Sequence, residues 1–92
     1  MTGTAAVRPI VNRRLDTCRA GDVVLVGSVE GDPARIDRLA AVGILPGVEL
    51  RVQQTRPVVV VECDETVLAL EREIAAGVVV ADAADVLAEA AE

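Results

Sequence analysis

The sequence predicts a mostly β protein, a small and partly open barrel of five short strands with one short α-helix between the first two. Three observations support this fold class. The 92 residues are enough for one domain with a modest core. The apolar residues fall mainly in short runs rich in Val, Leu and Ile, bounded by Gly, Pro or Asp. Only one internal segment has clear helical periodicity, and strands this short need closure to protect their edges.

The N-terminal part of the chain divides into an arm and a first strand. Residues 1–14 mix small residues, Pro and Arg without periodicity, so we expect a flexible arm. The barrel domain is expected to span residues 15–81. Its first strand is predicted over residues 22–29, where Val is frequent, and Gly27 inside this run predicts a bulge or a bend.

The single internal helix is predicted directly after this strand. Asp32 is a favourable N-cap, and Pro33 suits the first helical position because its missing amide hydrogen would have no partner there. Ile36, Leu39 and Ala40 recur at helical spacing, so we expect all three to face the core.

Glycine and proline define the end of the helix and the turn that follows. Gly43 supplies a left-handed residue that ends the helix, and Pro46-Gly47 predicts a type II turn in which Gly47 has positive φ. The strict alternation of apolar and polar residues over residues 48–55 then predicts a half-buried strand.

The second half of the chain predicts a hairpin and a final strand. Residues 58–63 and 66–70 are predicted to pair as antiparallel strands around a tight turn at Asp64-Glu65. One helical turn is expected over residues 71–76, followed by a short strand over residues 78–80. The acidic, Ala-rich tail of residues 82–92 is prone to form helix, but it has few anchoring residues and is expected to be frayed.

Composition excludes several classes of function. The chain contains no His and no aromatic residue, which excludes His-dependent catalysis and base stacking on aromatic rings. The net charge is −6, without the basic face that nucleic-acid binders need. We therefore expect neither an enzyme nor a nucleic-acid-binding protein.

The cysteine pattern and the absence of long apolar segments indicate a reduced, cytoplasmic protein. Cys18 and Cys63 fit no disulfide framework, so both are predicted to be free. The longest aliphatic run, residues 58–61, is far too short to cross a bilayer, so no direct membrane insertion is expected. We expect a monomer or a weak oligomer.

Two residue clusters are candidates for binding. Cys63, Asp64 and Glu65 form the densest group of metal-ligand types, and thiolate and carboxylate groups together could hold a divalent ion. Alternating strand positions point to opposite faces, however, so a solvated hairpin tip is the competing interpretation.

The second candidate is a partner-binding surface at the end of the helix. Ile44 and Leu45 are two aliphatic residues in a short turn, with Arg35 and Arg38 on the outer face of the preceding helix. Apolar contact is central at protein interfaces and Arg is enriched there, so an aliphatic pair with a basic rim is a candidate docking surface. The alternative is that both aliphatic residues are buried as a plug of the barrel and the arginines only improve solubility.

The helix and its turn also resemble a known family. Residues 38–47, with the sequence RLAAVGILPG, resemble the "RL..LG..PG" signature of the FeoA family, with Val42 in place of the usual Leu. The strand that follows and the pattern at residues 68–80 continue the resemblance, which covers about residues 15–81. The family's longer loop is reduced here to residues 54–57.

The resemblance implies a fold and a function. It implies an SH3-like barrel and a small cytoplasmic accessory protein of ferrous iron uptake that acts by contact with the cytoplasmic part of the FeoB permease. Similar barrels occur at the C-terminus of DtxR-type repressors. The alternative function is therefore a metal-responsive regulatory module that binds Fe2+ or another divalent transition metal itself.

Overall fold

The structure, a computed structural model, describes residues 10–90 as one antiparallel sheet with short helices around it. Its strands follow the spatial order β1-β6-β2-β3-β4-β5, and within residues 10–90 no ladder joins β5 to β1, so the barrel is open at that edge. The elements in chain order are β1 (Asn12–Arg14), a 3-10 turn (Leu15–Thr17), β2 (Val23–Val29), α1 (Pro33–Ala41), β3 (Glu49–Gln54), β4 (Val59–Cys63), β5 (Thr66–Leu70), α2 (Arg72–Ala75), β6 (Val78–Asp82) and α3 (Ala83–Ala90).

The first strand is a correction to the expected flexible arm. Residues Asn12–Arg14 form β1, which pairs antiparallel with β6 and adds a sixth strand to the five predicted. Arg13 and Arg14 are held by ion pairs of 3.2 Å to Asp22 and 2.7 Å to Glu30. The arm prediction for residues 1–9 lies outside the described residues.

Strand β2 has the bulge that its glycine predicts. The register between β2 and β6 shifts between Val26 and Ser28, so Gly27 is the extra residue. Val24 and Val26 are buried on one face, and the strand lies between β6 and β3 at the centre of the sheet.

Helix α1 begins as predicted, but fewer of its side chains are buried than predicted. The Asp32 carboxylate accepts a 2.8 Å hydrogen bond from the Arg35 backbone N–H, and Pro33 is the first helical residue. Leu39 is 5% exposed, whereas Ile36 is half-buried and Ala40 is exposed. The prediction that Ala40 faces the core is therefore wrong, because this short helix contacts the barrel along a narrow stripe.

Strands β3, β4 and β5 form an antiparallel meander, which contains the predicted hairpin of β4 and β5. Leu50 and Val52 of β3 and Val59 and Val61 of β4 are buried. Cys63 pairs with Thr66 across the two-residue turn at Asp64-Glu65.

The C-terminal segment is more ordered than the sequence predicts. The strand expected over residues 78–80 extends to Asp82, and the tail expected to be frayed forms α3 as far as Ala90. The last two residues of that prediction lie outside the described residues. The Asp82 carboxylate accepts a 2.9 Å hydrogen bond from the Ala84 backbone N–H, and Ala83 is buried. Helix α3 contacts both β2 and β6, which anchors the tail.

The core is entirely aliphatic apart from one thiol. Among residues 10–90 no polar or charged residue is buried. Within that range, no helix has the length and apolar character that a membrane span requires. The largest fully buried side chains are Leu15, Ile44, Leu50, Val24, Val52, Val59, Val61, Val78 and Val80.

Candidate partner-binding site

The turn after helix α1 is fixed by backbone hydrogen bonds. The N–H of Ile44 donates to the Leu39 carbonyl at 2.8 Å and the N–H of Gly43 to the Ala40 carbonyl at 3.0 Å. This pair of bonds is the Schellman motif, and Gly43 has the φ of +100° that the motif requires. The helix therefore ends where the sequence predicts, and Ile44 turns inward against Leu39.

The Pro46-Gly47 turn is attached to the central strand of the sheet. The Val48 N–H donates to the Leu45 carbonyl at 3.2 Å, and Gly47 has a φ of +92°, as predicted for a type II turn. The Gly47 N–H donates to the Val26 carbonyl at 2.8 Å, and the Val26 N–H donates to the Val48 carbonyl at 2.9 Å. The backbone that carries Leu45 is thus held from both sides.

The two aliphatic residues of the turn have different roles. Ile44 is 1% exposed and belongs to the core, so its assignment to the partner-binding surface is wrong. Leu45 is 39% exposed. The inward rotation imposed by the helix end places one aliphatic side chain inside the barrel and leaves the next one at the surface.

Leu45 lies at the edge of a surface groove of about 710 Å³. One side of the groove is formed by the turn and the other by the β4–β5 hairpin. The two sides meet where the Cys63 Sγ lies 3.8 Å from the Gly43 carbonyl oxygen. This contact joins the two clusters that the sequence treats separately. The lining residues are Gly43, Leu45, Val48, Glu49, Arg51, Glu62, Cys63, Asp64 and Glu65.

The groove is acidic, in contrast to the basic rim predicted around the turn. Four carboxylates line it, together with one guanidinium, that of Arg51, which pairs in register with Glu62 across β3 and β4. The alternation along β3 predicts that Glu49 and Arg51 lie on its outer face, but only the strand register places Arg51 opposite Glu62.

The helix arginines do not line this groove. Arg38 is exposed near the C-terminal end of α1. Arg35 is half-buried, and the stem of its side chain lies over Gly31 near the other end of the helix. The predicted rim of two arginines is therefore reduced to Arg38.

The three candidate metal ligands, Cys63, Asp64 and Glu65, all line the groove, but they do not form a metal site. Cys63 is half-buried, whereas Asp64 and Glu65 are exposed at the hairpin tip, where Asp64 has a φ of +54°. Within residues 10–90, no three side chains of His, Cys, Asp or Glu lie close enough together to hold a metal ion. Alternation along the strand separates these side chains.

The two cysteines occupy different environments, and both are free. Cys18 is 4% exposed, and burial raises the pKa of its thiol. Its Sγ lies 3.7 Å from the Arg14 carbonyl oxygen. Cys63 is the more accessible thiol and faces the groove.

Comparisons with known structures identify this fold. The FeoA protein from Chlorobium tepidum superimposes with a TM-score of 0.71 at 32% identity, covering 76% of this chain and 70% of that protein. An iron uptake regulatory protein (FeoA) gives a TM-score of 0.71 at 20% identity, covering 76% of this chain and 95% of that one. A manganese-dependent transcriptional repressor gives 0.74 at 26% identity over 82% of this chain, but over only 44% of its own length.

The sequence comparison agrees with these structures. No curated protein matches the sequence. The family model described as the FeoA domain matches residues 13–82, which include all of the sheet except Asn12 at the start of β1. The mostly β, SH3-like fold is confirmed, with a family match that begins within β1. On this match across most of its length, the chain belongs to the FeoA domain family.

Proposed function

We propose that this chain is an accessory protein of ferrous iron uptake that acts in the cytoplasm, without catalysis, by contact with the cytoplasmic part of the FeoB permease. Membership of the FeoA domain family supports a role related to ferrous iron transport. The observation that carries the proposed mode of action is Leu45, an aliphatic side chain exposed on a fixed turn beside a groove.

The surroundings of Leu45 support a protein contact. An apolar centre surrounded by a polar rim is the usual anatomy of a protein interface. The backbone hydrogen bonds on both sides of the turn reduce the ordering cost of binding, because the anchor is already held in one position. The acidic groove provides polar groups beside it, and Arg38 is exposed near the C-terminal end of the preceding helix.

The test is a pair of Leu→Ala substitutions. Leu45→Ala, alone and with Arg38→Glu, is expected to weaken capture of the permease's cytoplasmic part and to lower ferrous iron uptake in cells. Leu87→Ala is the matched control, because Leu87 is 59% exposed on α3, outside the groove. Circular dichroism establishes that all variants are folded. Normal binding and uptake by the folded Leu45 variants would exclude this surface.

A second function is favoured by the structural similarity to manganese-dependent repressors. In this alternative the chain is a metal-responsive regulatory module that binds Fe2+ or another divalent transition metal. Anaerobic calorimetric titration with Fe2+ and with Mn2+ distinguishes the two functions. Stoichiometric heat would favour the alternative, and permease capture that is independent of added metal would favour the accessory role.

A further inference from the structure

Strand β5 forms an open edge of the sheet. It pairs with β4 on one side, and within residues 10–90 no strand pairs with its other side. Open edges expose unpaired backbone N–H and C=O groups, which can pair with another extended chain. The edge lies beside the groove, because Asp64 and Glu65 of the hairpin turn line the groove, but no residue of β5 itself lines it.

The register identifies which backbone groups are free. Cys63 and Thr66 flank the two-residue turn, so they exchange hydrogen bonds across the hairpin. Hydrogen-bonded and non-hydrogen-bonded pairs alternate along an antiparallel ladder. Leu68 and Leu70 therefore also bond to β4, whereas the N–H and C=O groups of Val67 and Ala69 point away from it.

The side chains of β5 do not protect this edge. Thr66–Leu70 contains no charged residue and no Pro, and Val67 is 58% exposed. Leu68 is only half-buried, although Val61, its partner across the ladder, is 0% exposed. The opposite edge differs, because β1 has three residues and two of them are arginines.

The charges around β5 define what can pair with it. Asp64 and Glu65 precede the strand and Glu71 and Glu73 follow it, and all four are exposed. The arginine within this stretch, Arg72, is engaged, because it donates to the Thr55 carbonyl and lies 3.8 Å from Asp16.

These charges disfavour a second copy of the chain. A two-fold pairing that bonds Val67 to Ala69 of another copy would set Glu65 opposite Glu71 of that copy. Like charges directly opposite each other destabilise a strand pair. A segment with Lys or Arg at both ends would be attracted at both ends.

We propose that β5 is a docking strand for an extended partner segment that has small or β-branched apolar residues at its centre and basic residues at both ends. The segment adds a strand to the sheet through the backbone groups of Val67 and Ala69. This mode of recognition, β-strand addition, takes its affinity from main-chain hydrogen bonds and its specificity from flanking side chains. The inference goes beyond the proposed function and does not depend on iron.

Peptides of defined composition test the proposal on the full chain. One peptide alternates Val and Thr between paired lysines, and its control has glutamates in place of the lysines. The lysine peptide is expected to bind at least about tenfold more tightly than the glutamate peptide. Amide hydrogen exchange gives a second readout. In the free protein, the amides of Val67 and Ala69 are expected to exchange rapidly and the amide of Leu68 slowly. Binding of the lysine peptide is expected to slow exchange at Val67 and Ala69.

Proline substitutions test the same geometry. Ala69→Pro and Val67→Pro each remove an N–H that is not used in the β4–β5 ladder, so both variants should fold and bind the lysine peptide about tenfold or more weakly. Leu68→Pro removes a ladder bond and should lower the melting temperature instead. Ala69→Val is the matched control, because it keeps the N–H and should retain binding.

Three results would overturn the proposal. The first is any sign that the peptide does not bind at this edge. Either the folded proline variants would bind the lysine peptide as tightly as the wild-type protein does, or exchange at Val67 and Ala69 of the wild-type protein would not change when the peptide is bound. The second is concentration-dependent protection of these amides without peptide, which would identify a second copy as the occupant. The third is protection that disappears when residues 1–9 are deleted, which would identify the chain's own N-terminal segment.

Discussion

The backbone N–H of Gly47 donates a 2.8 Å hydrogen bond to the carbonyl oxygen of Val26, which joins the turn after helix α1 to the centre of the sheet. The turn that carries Leu45 is therefore part of the sheet's hydrogen-bonding framework. Its shape depends on Gly47, whose φ of +92° is costly for residues with a Cβ.

Gly47→Val is expected to destabilise the protein by about 1–2 kcal/mol, because a β-branched residue is strained at positive φ. No heavy atom lies within 4 Å of a Cβ at this position, so the loss is conformational and not a clash. Thermal unfolding should show a decrease of roughly 4–8 °C per kcal/mol. Gly47→Asn, which tolerates this conformation better, is the control. An unchanged melting curve for the Val variant would refute this role of Gly47.

Gly77→Ala is expected to be destabilising for a different reason. A Cβ on Gly77 would lie 2.6 Å from the Glu30 carbonyl oxygen, next to the 2.7 Å hydrogen bond from the Glu30 N–H to the Gly77 carbonyl. The backbones must separate, at a cost of about 1–3 kcal/mol. Gly27→Ala is the control, since its Cβ would meet only Val79 O at 3.5 Å. Denaturant unfolding that ranks the two variants equally would contradict this expectation.

Ile44→Ala and Leu45→Ala should separate stability from binding. Ile44 is fully buried, so its truncation should cost about 2–5 kcal/mol of unfolding free energy. Leu45 is partly exposed, so its truncation should cost less than about 1 kcal/mol. Urea titration measures both. Similar losses for the two variants would mean that Leu45 is also a core residue and not a free anchor.

The turn after helix α1 could be predicted because its shape depends on the backbone preferences of its own residues. The structure around the turn depends on residues that are distant in the sequence. Gly43 and Gly47 act through their own backbone preferences, and both have the positive φ that the sequence predicts. Strand β1 is short and polar, and it is a strand only because β6 offers an unpaired edge. No local pattern encodes that edge.

The same limit applies to the groove. The alternation over β3 predicts that Glu49 and Arg51 face outward, but only the β3–β4 register brings Glu62 beside Arg51. The split between Ile44 and Leu45 depends on the rotation of the chain at the helix end, which the residue types alone leave open. The tail was predicted to be frayed because Ala contributes little apolar area, yet Ala83 packs closely at the start of α3.

The two thiols are expected to react at different rates. Thiol counting without reductant should find two free groups. Cys63 should react first, because burial protects the Cys18 thiol from reagent and raises its pKa. Because the pKa of this thiol is higher in the folded state, the unfolded state loses the proton first as the pH rises. The stabilising contribution of Cys18 is thus complete at neutral pH and is lost as the pH rises through the alkaline range. Cys18→Ala should reduce this alkaline loss in thermal unfolding, and equal alkaline losses in both proteins would contradict it.

The acidic lining of the groove predicts how the proposed permease contact responds to salt. Glu49, Glu62, Asp64 and Glu65 outnumber Arg51, so the partner surface that meets Leu45 is expected to be basic. Electrostatic complementarity acts mainly on the association rate and is screened over about 10 Å at 0.1 M ionic strength. The association rate should therefore fall as salt increases.

Neutralising the groove should remove most of that dependence. Glu49→Gln with Asp64→Asn is expected to slow association several-fold at low salt and to flatten its salt dependence, because fewer carboxylates attract the partner. Glu89→Gln is the matched control, because Glu89 is exposed on α3 outside the groove. Surface plasmon resonance with the permease's cytoplasmic part measures both rates. A steep salt dependence that persists in the double variant would mean that the partner meets other acids, and Glu62 and Glu65 of the groove would then be the next to neutralise, followed by Glu71 and Glu73 after β5.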